Sequence, residues 1–565
     1  MPNHRALNVT LPLVLAIFLL ASCTEKRTVE SYIPADAAMV LNLHTDRLLE
    51  QVFEDTTSER VFLGLLGMVP GQGSSRGGSL AARGWLPGLG VDPGLNISED
   101  MFVYVSNAGE DNQFTGLFVR MNDADRFEKF LKRNNLGWAL PEIFEKEKYK
   151  MAWFADKKVL AGWNEDILVL ANVADRAMRA AAPGKIKDIF WLPEQLSILS
   201  EASYLPSVKR EQKSDAELYI NLKRFHLLSA RPSDWLYNYP EEDEYVRARL
   251  NFGDQKLDIE VEHFVDEQGS NYYHQLFDER EFSQITHDFS EEELICFLNI
   301  RYSKDLVPRI AQARKLRMTL KAINLATGLS EAELYQLAQG DVFFACSEKI
   351  TPVRQPEQAG VTDSSSLAFV AEMVTGPNMP GVLVKMTNNG LLMKPEKGVF
   401  ALGELTGFDS YMLLKDEKLL ITDDSLSLMQ QQHSIAPDEN SSPLQQLMFD
   451  YPLSGYISFE KLRGQAPEKG FVFLDRGELQ HIFNLLDEAR FYTRAPSNET
   501  IESSITISFN ENQESSFLGT LRLLSVLNDK QLEAATAMNP CAAETANTLA
   551  ISWKIFRHYF AHRYR

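Results

Sequence analysis

The C-terminal segment places two imidazole side chains at a spacing that could bind a metal ion. His558 and His562 stand four residues apart, which brings both onto one face of a helix. Two imidazoles can begin a zinc site, but the glutamate of the HExxH motif is absent and no third ligand follows. The sequence therefore predicts neither a metal centre nor a bound cofactor.

A nucleophile beside its general base is also missing from the sequence. No Gly-x-Ser-x-Gly motif occurs, and no histidine joins a serine or cysteine in a known catalytic motif. The paired carboxylates of a glycoside hydrolase depend on spatial spacing, so the sequence leaves that chemistry open. We lean towards a protein that is not an enzyme and assign no catalytic residue.

Glycine is concentrated between Gly64 and Gly94, a stretch that holds ten of the chain's 31 glycines. Part of it resembles a phosphate-binding loop, but the lysine that must precede the Ser or Thr is absent. Arg76 also occupies the third glycine position of a dinucleotide-binding fingerprint. We interpret the stretch as a surface insertion rather than a nucleotide site.

The N-terminus begins like a signal peptide, with a basic region followed by an apolar run. His4 and Arg5 form a short basic region, and the apolar run LPLVLAIFLL follows at 11–20. That run is shorter than the ~20 residues that a membrane-spanning helix needs. The sequence predicts that this segment is removed, and no later stretch is apolar enough to span a bilayer.

Cys23 is the residue with the most specific predicted chemistry. Leu20, Ala21 and Ser22 precede it, and Leu20-Ala21-Ser22-Cys23 resembles the bacterial lipobox. The motif implies cleavage before Cys23, a diacylglycerol on its thiol, and an acyl chain such as palmitate on its amine. Several acyl chains give stable anchoring where one does not. The alternative is an ordinary secretory signal with a chance cysteine.

Composition and the residues after Cys23 indicate where in the cell the protein resides. The 565-residue chain is 44% hydrophobic, which is typical of a globular protein, and its net charge of -21 argues against nucleic acid as a partner. It also argues against a body lying flat on an anionic membrane. Thr24 and a mixed-charge segment favour the outer membrane, facing the periplasm rather than the cell surface.

A family resemblance follows from the residues beyond this tether. The lipobox, a short linker and Ile-Pro-Ala-Asp-Ala at 33–37, at the start of a strand, resemble an uncharacterised lipoprotein family of Bacteroidetes, a domain of unknown function. The resemblance rests on residues 20–50 and on a layout of two halves. It implies an envelope lipoprotein and carries no catalytic residue.

Six weak internal matches, in the same order along the chain, indicate a tandem duplication. The matched segments are 39–43 with 296–300, 100–103 with 341–344, 118–122 with 384–388, 158–160 with 418–420, 216–220 with 453–457, and 250–252 with 507–509. Chance resemblance is the alternative. The predicted organisation is a signal peptide (1–22), a tether (23–31), a first half (32–285), a second half (286–545) and a tail (546–565).

Local patterns set the fold class. Hairpins are predicted at 149–161, 249–261 and 411–422, where charged or glycine-containing breaks separate two apolar runs. Strands such as 256–261 alternate apolar and polar residues, as in antiparallel sheets with one covered face. The predicted class is α+β, with each half a mainly antiparallel sheet and helices packed on one face.

The tail and three cysteines leave open questions. A basic aromatic tail could dock on the protein's own body, which we favour, on a partner or on a membrane. Its candidate docking residues are Trp553, Lys554, Arg557, Tyr559, Arg563 and Arg565. Cys296 and Cys346 lie in apolar strand-like runs that favour buried thiols. Whether they or Cys541 form a disulfide stays open.

Two functions fit these observations. The first is a membrane-anchored envelope lipoprotein that binds or scaffolds other envelope proteins without catalysis. The second is a lipoprotein hydrolase or carbohydrate-binding subunit whose site lies in a cleft between the two halves.

Overall fold

A computed structural model gives the fold of much of the chain. It describes residues 27–52, 94–96, 98–106, 114–132, 142–154, 159–172, 176–204, 214–224, 244–265, 274, 294–304, 321, 324–325, 327–337, 339–350, 365–393, 398–401, 410–422, 442–463, 482–497, 499–510, 516–517 and 519–520.

The described residues form 20 strands. In chain order they are β1 (Met39–Leu43), β2 (Leu95–Asn96), β3 (Met101–Ser106), β4 (Phe114–Met121), β5 (Glu142–Glu145), β6 (Lys150–Phe154), β7 (Val159–Trp163), β8 (Ile167–Asn172), β9 (Ala216–Asn221), β10 (Tyr245–Phe252), β11 (Lys256–Phe264), β12 (Leu294–Ile300), β13 (Val342–Ile350), β14 (Ser365–Val374), β15 (Val399–Ala401), β16 (Tyr411–Lys415), β17 (Lys418–Thr422), β18 (Leu453–Ser458), β19 (Leu486–Thr493) and β20 (Thr500–Phe509).

Helices connect these strands. The α-helices of the described ranges are α1 (Thr45–Val52), α2 (Ala124–Lys132), α3 (Arg176–Phe190), α4 (Glu331–Leu334), α5 (Met379–Asn388), α6 (Pro443–Asp450) and α7 (Phe459–Arg463). Short 3-10 helices lie at Val29–Tyr32, Glu194–Leu196, Ile198–Ser200 and Tyr335–Leu337. Within the described ranges, no helix is long and apolar enough to cross a membrane.

All strands join one open sheet with antiparallel neighbours throughout. Its order is β5-β6-β7-β8-β4-β3-β1-β9-β10-β11-β20-β19-β18-β12-β13-β14-β17-β16-β15, and β2 pairs with the end of β4. Strands β11 and β20 pair at the middle of the sheet. The sheet and its helices confirm the predicted α+β class.

The three predicted hairpins are confirmed. Strands β6 and β7, β10 and β11, and β16 and β17 are antiparallel neighbours. The turn of the last hairpin places Asp416 at φ 51° and Glu417 at φ 62°. Two successive positive φ values are typical of the tight turns that match the twist of a hairpin.

The prediction that helices cover one face is wrong, because helices pack on both faces of the sheet. Along β8, Leu168 and Leu170 belong to the core that contains Phe127 of α2. The alternate residues of β8, Ile167 and Val169, belong to the core that contains α3. A strand that is apolar on both faces needs a cover on each side, and the continuous run from Ile167 to Ala171 has this character.

The internal matches divide into two groups. Three of them align strands with equivalent neighbours, namely β1 with β12, β3 with β13, and β9 with β18. One match is wrong, because segment 118–122 begins in strand β4 whereas 384–388 lies in helix α5. The remaining two matches align strand β7 with β17 and strand β10 with β20.

Candidate functional site: a polar groove in the first half

Four neighbouring strands near the middle of the sheet carry an unusual row of polar side chains. In the register of β1, β9, β10 and β11, Asn42 lies beside Glu217, Glu217 beside Arg249, and Arg249 beside Glu260. The adjacent row continues with Tyr219, Arg247 and Glu262. Residues two apart on a strand share a face, so the two rows line one groove that is open to solvent.

Arg249 forms ion pairs with two glutamates of the groove. Its Nη2 lies 3.0 Å from Oε2 of Glu260 and 3.4 Å from Oε1 of Glu262. The Arg249 and Glu262 side chains are largely buried, whereas half of the Glu260 side chain is exposed. A guanidinium shared by two carboxylates keeps a planar, preorganised arrangement.

Arg247 is held more deeply and supports the wall of the groove. Its guanidinium lies 5.0 Å from the ring centre of Tyr245 and 4.7 Å from that of Phe264. Its Nη2 also donates to the carbonyl oxygen of Ser203. Stacking on two rings and bonding to backbone positions this cation, so it serves the architecture of the groove.

Glu217 is the third carboxylate of the groove. Its Oε1 accepts a hydrogen bond of 3.0 Å from the hydroxyl of Ser214. No ion pair engages Glu217 within the part of the chain that the structure describes. A partly buried carboxylate in this state can accept hydrogen bonds from a cationic group.

A histidine–carboxylate pair lies next to Asn42, a lining residue of the groove. Nδ1 of His44 lies 3.0 Å from Oδ1 of Asp100, and Nδ2 of Asn42 donates to Oδ2 of Asp100 at 3.4 Å. Burial alone would lower the pKa of His44. The hydrogen bond and charge of Asp100, with the charges of Glu217 and Asp46, outweigh burial and raise it.

Burial also shifts neighbouring groups towards their neutral forms. Desolvation raises the pKa of the Glu30 carboxyl, and the charge of Asp100 adds to that effect. Desolvation likewise raises the pKa of Tyr204 and of Tyr219, two rings in the groove wall. These phenols stay protonated hydrogen-bond donors at neutral pH.

The charge of the groove indicates what kind of ligand it can bind. Three glutamates and two arginines line it, so its formal charge is negative. No group of three or more metal-ligating side chains occurs among the described residues. The arrangement can bind a polar ligand or protein segment that carries a cationic group.

The sequence did not single out these groove residues. Glu260 and Glu262 stand in the alternating strand 256–261 and its continuation, a pattern that is typical of an ordinary solvent-facing side. Their convergence with Glu217 and Arg249 depends on pairing between β9, β10 and β11. The polar character of one face across three successive strands was the available signal.

The residues predicted from sequence lie elsewhere. Leu20, Ala21, Ser22 and Cys23, the glycine-rich stretch up to residue 93, Cys541, and the tail from Trp553 to Arg565 all fall outside the described residues. Cys296 and Cys346 are described, and both are half-buried thiols rather than fully buried ones.

Comparison with known proteins gives one family match. Crystal forms III and I of TP0453 are similar over 46% of this chain and 90% of theirs, at 9% identity and a TM-score of 0.24. None of the curated proteins matches the chain. A family model described as a domain of unknown function, DUF4836, matches residues 30–443. This match confirms the resemblance to a domain of unknown function, whereas the bacterial group and the lipobox stay predictions. The chain belongs to the DUF4836 family.

Proposed function

We propose that this protein is a lipid-anchored lipoprotein of the Bacteroidetes cell envelope that binds or scaffolds other envelope proteins. The observation that carries the proposal is the lipobox at Leu20-Ala21-Ser22-Cys23, directly after the apolar run at 11–20. The mature chain begins at Cys23 and is held at the outer membrane, facing the periplasm, by acyl chains on that residue.

Substitution of Cys23 tests the anchor. In cells fed radiolabelled palmitate, the natural chain is expected to carry label and to sediment with membranes. Cys23→Ala is expected to lose both properties, because it removes the thiol that receives the lipid. Cys346→Ala is the matched control and should keep both. A Cys23→Ala chain that still carried label would contradict the anchor.

Binding through the polar groove is the proposed activity of the body. The support is the pair of ion pairs that Arg249 makes with Glu260 and Glu262, beside Glu217, which accepts a hydrogen bond from Ser214. The second candidate, a hydrolase or carbohydrate-binding subunit with a site between two halves, has less support. The groove lies on β1, β9, β10 and β11, all from the N-terminal part of the chain.

The same proposal includes a tandem duplication of one module. Strand order supports the duplication. The strands of the N-terminal part are arranged as β7-β8-β4-β3-β1-β9-β10-β11, and those of the C-terminal part follow the same arrangement as β16-β17-β14-β13-β12-β18-β19-β20. Register supports it independently. Asn42 of β1 lies beside Phe102 and Glu217, and Asn299 of β12 lies beside Phe343 and Ser454.

The duplication makes the two halves an internal comparison. Under this alignment Tyr219 and Arg247 correspond to Tyr456 and Arg490, which also lie side by side. The charged residues of the groove have neutral counterparts. The pairs are Glu217 with Ser454, Arg249 with Tyr492, Glu260 with Ser504, and Glu262 with Thr506. The fold therefore does not need these charges, which supports a binding role for them.

A further inference from the structure

Two thiols occupy directly opposed positions in the second half of the sheet. Cys296 of β12 and Cys346 of β13 are cross-strand partners. Opposed residues of an antiparallel pair have Cα atoms about 4.5–5.5 Å apart, and a disulfide needs about 4.4–6.8 Å. The register therefore places the two cysteines within the range of a disulfide, directly after an irregularity in the pairing of β12 between Leu294 and Cys296.

The surroundings of the pair leave it accessible. Both cysteines are half-buried and present as thiols. Their row across the sheet continues with Ile457 on one side and Phe369 on the other. Phe369 is itself half-buried, so a small oxidant can reach the thiols from this face.

The corresponding pair in the first half has a different character. Under the proposed duplication, Cys296 and Cys346 correspond to Met39 and Val105, which are also cross-strand partners. Met39 and Val105 are each 3% exposed and pack with Ile220 and Val246. A pair of thiols is therefore not required at this position by the packing of the module.

From this geometry we propose that Cys296 and Cys346 form a cross-strand disulfide when the protein meets a disulfide oxidant. A thiolate of one cysteine attacks the oxidant and releases one of its sulfurs as a thiol. The second thiolate then attacks the mixed disulfide and releases the other sulfur. Two protein thiols and one oxidant disulfide thus become one protein disulfide and two small thiols.

The inference rests on the proposed envelope location, because disulfides persist in oxidising compartments and rarely in the cytosol. A bridge between β12 and β13 would tie the strands on either side of residues 301–341. By restricting the unfolded chain, it would raise the resistance of the second half to unfolding.

Oxidised glutathione applied to the purified full chain tests the geometry. To isolate the pair, the chain carries Cys23→Ala and Cys541→Ser, which leaves Cys296 and Cys346 as its two thiols. We expect both thiols to disappear, the mass to fall by about 2 Da as two hydrogens leave, and a non-reduced peptide map to join Cys296 to Cys346. The urea midpoint should rise after oxidation. The double variant Cys296→Met, Cys346→Val, which copies the first half, should show no shift between oxidised and reduced samples.

Two outcomes separate this inference from the proposed location. Persistent thiols after oxidation of the purified chain would overturn the disulfide, wherever the protein resides. Rapid alkylation in intact cells then tests the compartment. A disulfide between Cys296 and Cys346 in cells supports both proposals. Alkylated thiols in cells, combined with disulfide formation in the purified chain, would support the disulfide site and contradict the envelope location.

Discussion

At the scale of single residues, the interaction of His44 with Asp100 sets a pH dependence. Partial burial would favour the neutral ring, yet the pKa of His44 is raised because Asp100 bonds to it at 3.0 Å. A basic group with a raised folded pKa adds stability at low pH. That contribution is complete below the unfolded pKa near 6.5 and disappears as pH rises through the folded pKa.

Asp100→Asn tests this explanation. With the Asp100 charge removed, only the charges of Glu217 and Asp46 still oppose burial, so the pKa of His44 is expected to fall. The stability that the protein gains from a charged His44 at low pH should become smaller. An NMR titration of the His44 ring and urea unfolding at pH 5.5 and 7.5 measure both effects. An unchanged His44 pKa in the variant would show that Asp100 is not the cause.

At the scale of elements, close approach between α3 and β7 decides how one helix sits on the sheet. A Cβ atom on Gly162 of β7 would lie 2.6 Å from a methyl of Ile186 and 3.0 Å from the ring of Phe190. Both contacts come from the buried face of α3. Packed interiors tolerate such added volume poorly, so the glycine permits the close packing of α3.

Gly162→Ala is expected to lower the free energy of unfolding by about 1–3 kcal/mol, because Ile186 and Phe190 must move. Gly184→Ala on α3 is the matched control. A Cβ there meets no atom within 4 Å, and alanine in a helix is favoured over glycine by about 0.5–1 kcal/mol. Urea titration of both variants measures the free energy of unfolding, which should fall for Gly162→Ala and rise for Gly184→Ala. Equal effects of the two substitutions would refute the packing argument.

The elements also show which features are local. The hairpin at 411–422 could be predicted because its charged break lies between two short apolar runs. Helices on both faces and the groove could not, since they depend on which distant strands become neighbours. Glu217 meets Arg249 only through pairing of β9 with β10. Cys296 meets Cys346 only through pairing of β12 with β13.

At the scale of the whole molecule, β11 and β20 make one sheet from the N-terminal and C-terminal parts of the chain. Lys256 to Phe264 pair in register with Ser508 to Thr500. The hydroxyl of Thr506 donates to Asp258 at 2.7 Å across the seam. Phe252 and Phe517 also meet, with ring centres 5.0 Å apart. Because β9, β10 and β11 are paired within this continuous sheet, the groove side chains stand on rigid strands, which a binding site needs.

Glu217→Ser gives the binding claim a matched variant. Under the proposed duplication, Ser454 stands at the position that corresponds to Glu217, so we expect the fold to accept serine there. Loss of the carboxylate removes the acceptor for a cationic partner group and should weaken partner recovery about tenfold or more. Glu142→Ser, on the exposed edge strand β5, is the control and should leave recovery unchanged.

Crosslinking of the native protein in intact membranes, followed by its purification and mass spectrometry of what accompanies it, tests the proposed binding role most directly. We predict a reproducible complex with other envelope proteins, reduced by Glu217→Ser and kept by Glu142→Ser. A protein recovered alone in repeated experiments would contradict a binding or scaffolding role.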